Sequence, residues 1–318
     1  MKKFSLVFLT VFLMVVLVGC GKTSTVTEST PTTIELSVAT PSGAPAIAFY
    51  SHLMEDNLEV NSVAQNVVAY LTSSTTKDVV VAPTNAGIQA IVNKGATFKL
   101  AAVITFGNFY IVSCGTDSDN TLNEGDKVLA FQETNVAGKL FQYVYGDKGL
   151  DVEYLSDLQA VKTKLLTQES EGYDYVLLAQ PVVSAILGQK SNYSVYANVQ
   201  EDYKTKTGGK SITQASIFVK DGLDKAKVNS FLSMIKNDIE TLKNNPSVLI
   251  DKTNDVTDEA FAAKISGTKT LIKNLITNNN QIGIGFEYAY EYKASIDAFI
   301  ATLGMSATNE EIYYRTQE

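Results

Sequence analysis

One histidine, one arginine, two cysteines and no tryptophan occur among the 318 residues. This scarcity narrows the chemistry. A zinc centre made of several His and Cys ligands cannot be assembled, and a Ser-His-Asp triad has to recruit His52. His52 sits in AIAFYSHLMEDN, where Ala46, Ala48, Phe49 and Leu53 predict a helix carrying it as a solvated or partly buried side chain. No paired catalytic groups stand at a recognisable spacing, so the chain reads as a non-enzyme without metal or cofactor. The lone arginine, Arg315, falls in the C-terminal tail, which leaves no guanidinium fork for gripping an anion. The net charge is −8 and no basic block occurs, so nucleic acid is an unfit partner.

What the chain does have begins at its N-terminus. Lys2 and Lys3 precede an apolar run, residues 4–18, broken only by Ser5 and Thr10, and the run ends Val18-Gly19-Cys20. A basic start, a short apolar stretch and a small residue before cysteine read as a secretory signal over residues 1–19. The run is shorter than the roughly 20 residues a spanning helix needs. Its end resembles a bacterial lipobox, which implies cleavage before Cys20, a diacylglycerol on its sulfur, and a lipid anchor on the extracytoplasmic membrane face. Residues 20–33, with the sequence GKTSTVTESTPTT after Cys20, have almost no apolar content and read as a tether. Cys114 is then left without a partner cysteine and lies in an apolar run, as a small buried residue does.

Beyond the tether, strand-like and helix-like segments alternate. IELSVAT (34–40), DVVVA (78–82) and residues 99–105 read as strands; residues 86–93 read as a helix, and residues 44–56 as another. The rhythm restarts after Gly115, with strands at 127–131, 152–155 and 175–178 and helices at 134–145, 157–168 and 181–187. A strand at 214–219 follows; after it come helices at 225–243, 258–266, 269–276 and 287–303. This is an α/β chain with mainly parallel sheets flanked by helices.

Several stretches together carry a resemblance: PSGAPAIAF, DVVVAPTNAG, FKLAAVITFGNFYIVS, QASIFVK, and IGFEYAYEYKASIDAFI followed by NEEIYY. They resemble the nitrate/sulfonate/taurine-type, thiamin-precursor-like substrate-binding proteins of ABC importers, which have the type II periplasmic-binding fold. The resemblance implies two lobes joined by two crossover strands: residues 34–112 and 217–318 in the first, residues 113–216 in the second, with crossovers near 113–115 and 215–217. It also implies a small-molecule ligand, and ABC permease and ATPase subunits as partners.

In open α/β sheets a ligand sits beyond the carboxyl ends of strands, where helix N-termini meet a crevice. That rule selects loops. Ser42, Gly43 and Ala44 follow the first strand, with a ligand contact and a plain helix cap equally open to them. Thr84 and Asn85 follow DVVVAP and carry the same ambiguity. Phe106 and Asn108 flank a glycine before the first crossover, where an aromatic wall or core packing both fit. Gln132, Thr134 and Asn135, with Glu133 between them, open a helix of the second lobe. Gln180 precedes Pro181 where relatives often place an acid. Without an Arg fork, an anion has to rely on helix N-termini or lysine, so the ligand is expected to be neutral or heterocyclic. Two other readings compete: an enzyme of menaquinone- or thiamin-precursor type on the same fold, and a surface sensor or adhesin.

Overall fold

The structure, a computed structural model, describes residues 32–74, 77–115, 121–167 and 172–316. The expected leader, Cys20 and all but the last two residues of the expected tether lie outside the described residues. Among the described residues, eleven strands form two sheets: β1 (Val38–Pro41), β2 (Leu58–Asn61), β3 (Val79–Pro83), β4 (Phe98–Thr105), β5 (Phe109–Ser113), β6 (Lys127–Phe131), β7 (Asp151–Leu155), β8 (Tyr175–Ala179), β9 (Ser194–Asn198), β10 (Ala215–Lys220) and β11 (Ile284–Tyr288). The first sheet runs β11-β4-β10-β3-β1-β2 and the second β7-β6-β8-β5-β9.

Both sheets are mixed. β1 pairs in parallel with β2 and β3, and β6 with β7 and β8. β10 is antiparallel to β3 and β4, β11 to β4, and β5 to β8 and β9. The antiparallel members include β5, through which the chain enters the second sheet, and β10, through which it returns to the first.

Those crossings fall earlier along the chain than the resemblance implied. The chain leaves the first sheet after Thr105 and enters the second at Phe109, so residues 106–108 cross, and β5 lies wholly in the second sheet. The return runs from the end of α7 (Val199–Lys206) through residues 207–214.

Alternation within β3 builds two cores. Val79 and Val81 join Ile217, Phe231 and Ile235 on one face of the first sheet. Val80 and Ala82 join Phe218 and Ile300 on the other, in a cluster that continues into the second sheet. α3 (Thr84–Lys94) packs close to this second face because Gly87 has no side chain: a Cβ there would lie 2.0 Å from the Phe218 ring. Burying a ring such as Phe218 contributes about 2–3 kcal/mol. α8 (Lys225–Asn244) covers the first face with Val228, Phe231, Leu232, Ile235 and Ile239, and is capped by Asp224, whose side chain accepts from the Lys227 N–H.

α4 (Val136–Tyr145) in the second lobe meets α12 (Lys293–Thr302) in the first. Lys139 Nζ donates to Leu303 O at 2.8 Å across this contact. Residues 287–303 are therefore not one helix: β11 occupies 284–288, and the helix starts only at Lys293. Residues 44–56 likewise give only a short helix at 44–47 and a 3₁₀ turn at 50–52. His52 lies in that turn, 3% exposed, so it is fully rather than partly buried. No helix among the described residues is long and apolar enough to cross a membrane.

Candidate functional site

β4 and β10 carry both crossings and divide the space between the sheets. In the first sheet β3, β1 and β2 lie on one side of this pair and β11 on the other; in the second, β8, β6 and β7 lie on one side of β5 and β9 on the other; the side of β3 and β6 is here the front, that of β11 and β9 the rear.

A front cavity of about 470 Å³ is lined from both sides. The first lobe contributes Gln65, Asn85 and Gln89, and the second contributes Gln132, Thr134, Asn135 and Lys139. Leu303 and Met305 close one edge. Five amide side chains and one ammonium group thus meet in a lining without a carboxylate. Glu133 is exposed and absent from the lining.

The sequence places these groups by one repeated device, a strand that ends in a helix N-terminus. β3 runs into α3, so Asn85 and Ala86 stand in its first turn. β6 is followed by Gln132 and then by α4, whose N-cap is Asn135. The Asn135 side chain makes no cap hydrogen bond, which leaves its amide available to the cavity. Asn85 Oδ1 is buried and finds no partner in the protein. Two helix ends with free N–H groups therefore reach one cavity from opposite lobes, and each brings partial positive charge. Thr105, at the end of β4, and Thr213 and Gln214, just before β10, add buried oxygens without protein partners where the crossings begin. Buried polar atoms are almost always satisfied, so such a gathering at strand ends points to a place for water or ligand.

Four of the residues expected from the sequence, Asn85, Gln132, Thr134 and Asn135, are brought together here. The others take different places. Thr84 is buried, and its hydroxyl lies 2.7 Å from Ser216 Oγ, tying α3 to β10. Ser42, Gly43 and Ala44 lie outside the cavity lining; the Ser42 and Gly43 N–H groups donate to Asn61 O and Lys264 O. Asn108 is buried and donates from Nδ2 to Gln180 O at 2.8 Å, while Gln180 N donates back to Asn108 O, so the pair fixes β5 to β8. Gln180 Oε1 accepts from Ser184, and Nε2 reaches Gln281 Oε1 of the first lobe at 3.4 Å. Phe106 packs edge-to-face on Tyr292, 5.8 Å between centroids, on the rear side.

Gln65, Gln89 and Lys139 were not anticipated. Gln89 and Lys139 lie one helical turn after Asn85 and Asn135, so i,i+4 spacing from the expected residues finds both. Nothing local marks Leu303 or Met305.

A larger groove of about 710 Å³ lies at the opposite ends of β4 and β10, where its charges pair with one another. Arg315 meets Glu310 at 2.8 Å, and Lys99 Nζ lies 4.0 Å from Asp221 Oδ2. Catalytic chemistry of the Ser-His-Asp kind is not built at His52. Its Nε2 lies 2.8 Å from Asp238 Oδ2 and its Nδ1 2.6 Å from Glu55 Oε1, while Ser51 Oγ bonds the Asp238 carboxylate. Burial pushes the Cys114 thiol up to about 11, the behaviour of a structural cysteine.

No protein-family model and no curated protein matches the chain. Solved structures do. An ABC transporter structure from Parabacteroides distasonis matches with a TM-score of 0.68 at 19% identity, over 90% of this chain and 100% of that one. The periplasmic aliphatic sulphonate binding protein SsuA from Escherichia coli matches with 0.60 at 14%, over 87% and 96%. The alkanesulfonate-binding protein SsuA from Xanthomonas axonopodis pv. citri, bound to MOPS, matches with 0.55 at 15%, over 89% and 96%. The chain has the two-sheet α/β fold of these solved structures.

Proposed function

We propose that this protein is the extracytoplasmic, lipid-anchored solute-binding component of an ABC importer. It captures a small polar molecule in the front cavity and delivers it to permease and ATPase subunits. Binding rather than catalysis is the role that the cavity supports. The observation that carries the reading is the meeting of two helix N-termini, five amides and Lys139 from opposite lobes around a cavity free of carboxylates. A ligand touching both lobes favours the closed arrangement through its differential affinity, and the crossings at 106–108 and 207–214 are the hinge.

The lining widens the expected ligand class. The neutral or heterocyclic ligand anticipated from the lack of an Arg fork remains suited to the amides. An anion now also fits, because helix ends and a lysine are in place. A cation finds no countercharge.

Isothermal titration of the purified protein against alkanesulfonates, neutral heterocycles and organic cations tests this. Saturable binding of a neutral or anionic compound, weakened by Asn135→Ala and by Lys139→Met, is expected. Selective binding of a cation, or binding indifferent to both substitutions, overturns it.

A further inference from the structure

Behind the hinge is a second crevice, of about 280 Å³, that the front cavity does not use. Both crossings line it, through Gly107 and Ser211, and both lobes contribute, through Gln200 and Tyr292. Its charged lining residues are two acids, Glu201 and Glu287, and two lysines, Lys204 and Lys243. Glu201 and Lys204 already pair at 3.0 Å. The crevice is therefore close to neutral.

Gln200 is its unusual member. The residue is 8% exposed, and both side-chain amide atoms, Oε1 and Nε2, lack a protein partner. Its backbone N–H is satisfied by Asn198 Oδ1, the N-cap of α7, so the orphaned group is the side chain alone. Gly107 makes room for it: a Cβ at Gly107, whose φ is +94°, would lie 2.6 Å from Gln200 Oε1. Two orphaned atoms on one buried amide are costly, and such a group is retained where something meets it.

An amide presents a donor and an acceptor side by side. Its complement offers an acceptor and a donor on adjacent atoms, as a carboxamide, lactam or ureide does. The balanced charges select a neutral molecule, and the Phe106–Tyr292 pair supplies an aromatic wall.

We propose that the rear crevice is a second small-molecule site, for a neutral planar amide or lactam held by Gln200, and that its occupancy is coupled to closure of the front cavity. The site stands on its own geometry; the coupling rests on the hinge reading proposed above. Rotation about the shared crossings that narrows the front widens the rear. The Gln200 amide, now covered, becomes reachable only as the rear widens, so a rear ligand draws the front shut. Linkage makes the effect reciprocal.

Uracil, which carries C=O and N–H on adjacent ring atoms, is the probe. Calorimetry, melting curves and X-ray scattering are applied to the wild-type protein, Gln200→Leu and the front variant Asn135→Ala. Saturable uracil binding is expected in the wild type and in Asn135→Ala. Gln200→Leu should bind at least about tenfold more weakly while melting no lower than the wild type, since an orphaned amide has been removed. The radius of gyration should fall as uracil saturates. The site is overturned by the lack of saturable binding, by binding that survives Gln200→Leu, or by binding lost in Asn135→Ala and kept in Gln200→Leu, which places uracil in the front. An unchanged radius of gyration at saturation overturns the coupling.

Discussion

Replacing His52 with leucine should destabilise the protein by about 2 kcal/mol in mild acid and by clearly less in alkali. The ring is 3% exposed and lies 2.6 Å from Glu55 Oε1 and 2.8 Å from Asp238 Oδ2. Burial works against the charged imidazolium, but the hydrogen bonds and charges of Asp238 and Glu55 outweigh it and raise the His52 pKa. A buried charge-assisted hydrogen bond is worth about 1.5–3 kcal/mol. Here the carboxylates are 24% and 26% exposed, so solvent screening reduces each contact to about 1 kcal/mol. A neutral ring has one N–H for two carboxylates, so deprotonation sets a lone pair against an anion. Because the folded pKa is raised, the stabilisation is fully present below the unfolded value of about 6.5 and is lost as pH rises through the folded value. Melting temperatures of wild type and His52→Leu, measured from about pH 5 to about pH 9, should differ by roughly 4–8 °C at the acid end and converge at the alkaline end. A gap that stays constant or widens with pH refutes the reasoning.

Three further outcomes follow from particular contacts. Gly283 has φ +70° and a Cβ there would lie 2.0 Å from Gly107 O, so Gly283→Ala should cost about 2 kcal/mol or more in urea unfolding; a loss below about 0.5 kcal/mol contradicts the close packing of the first crossing. Cys114 is fully buried with its thiol pushed up to about 11, so a thiol reagent near neutral pH should modify it only at the rate of unfolding; prompt labelling of the native protein is the contrary result. Lys139 Nζ bonds Leu303 O across the lobes at 2.8 Å, so Lys139→Met should weaken an anionic front ligand about tenfold or more and a neutral one less; equal effects on both argue against electrostatic recognition.

The βα rhythm was readable wherever a strand is buried on both faces, as in VVVAP, or a helix shows a clean apolar stripe, as in α8. It failed where context decided. β9 and α7 are polar and charged, SVYAN followed by VQEDYKTK, and carry little apolar periodicity. β11, IGFEY, has aromatics at a spacing that also suits the helix that follows. In the site, Asn85 and Asn135 were legible because a strand-to-helix turn fixes where they face. Ser42 was not, since the same turn logic applied while β1 leads into a helix of only four residues outside the cavity. Leu303 reaches the cavity through tertiary packing of α12 on α4, which no local pattern announces.

A crystal structure of the protein with the tightest compound from the titration screen puts the proposal to the test. That compound should lie in the front cavity, in contact with the α3 N-terminus at Asn85 and the α4 N-terminus at Asn135 at once. A ligand held by one lobe alone, or seated away from both helix ends, contradicts it.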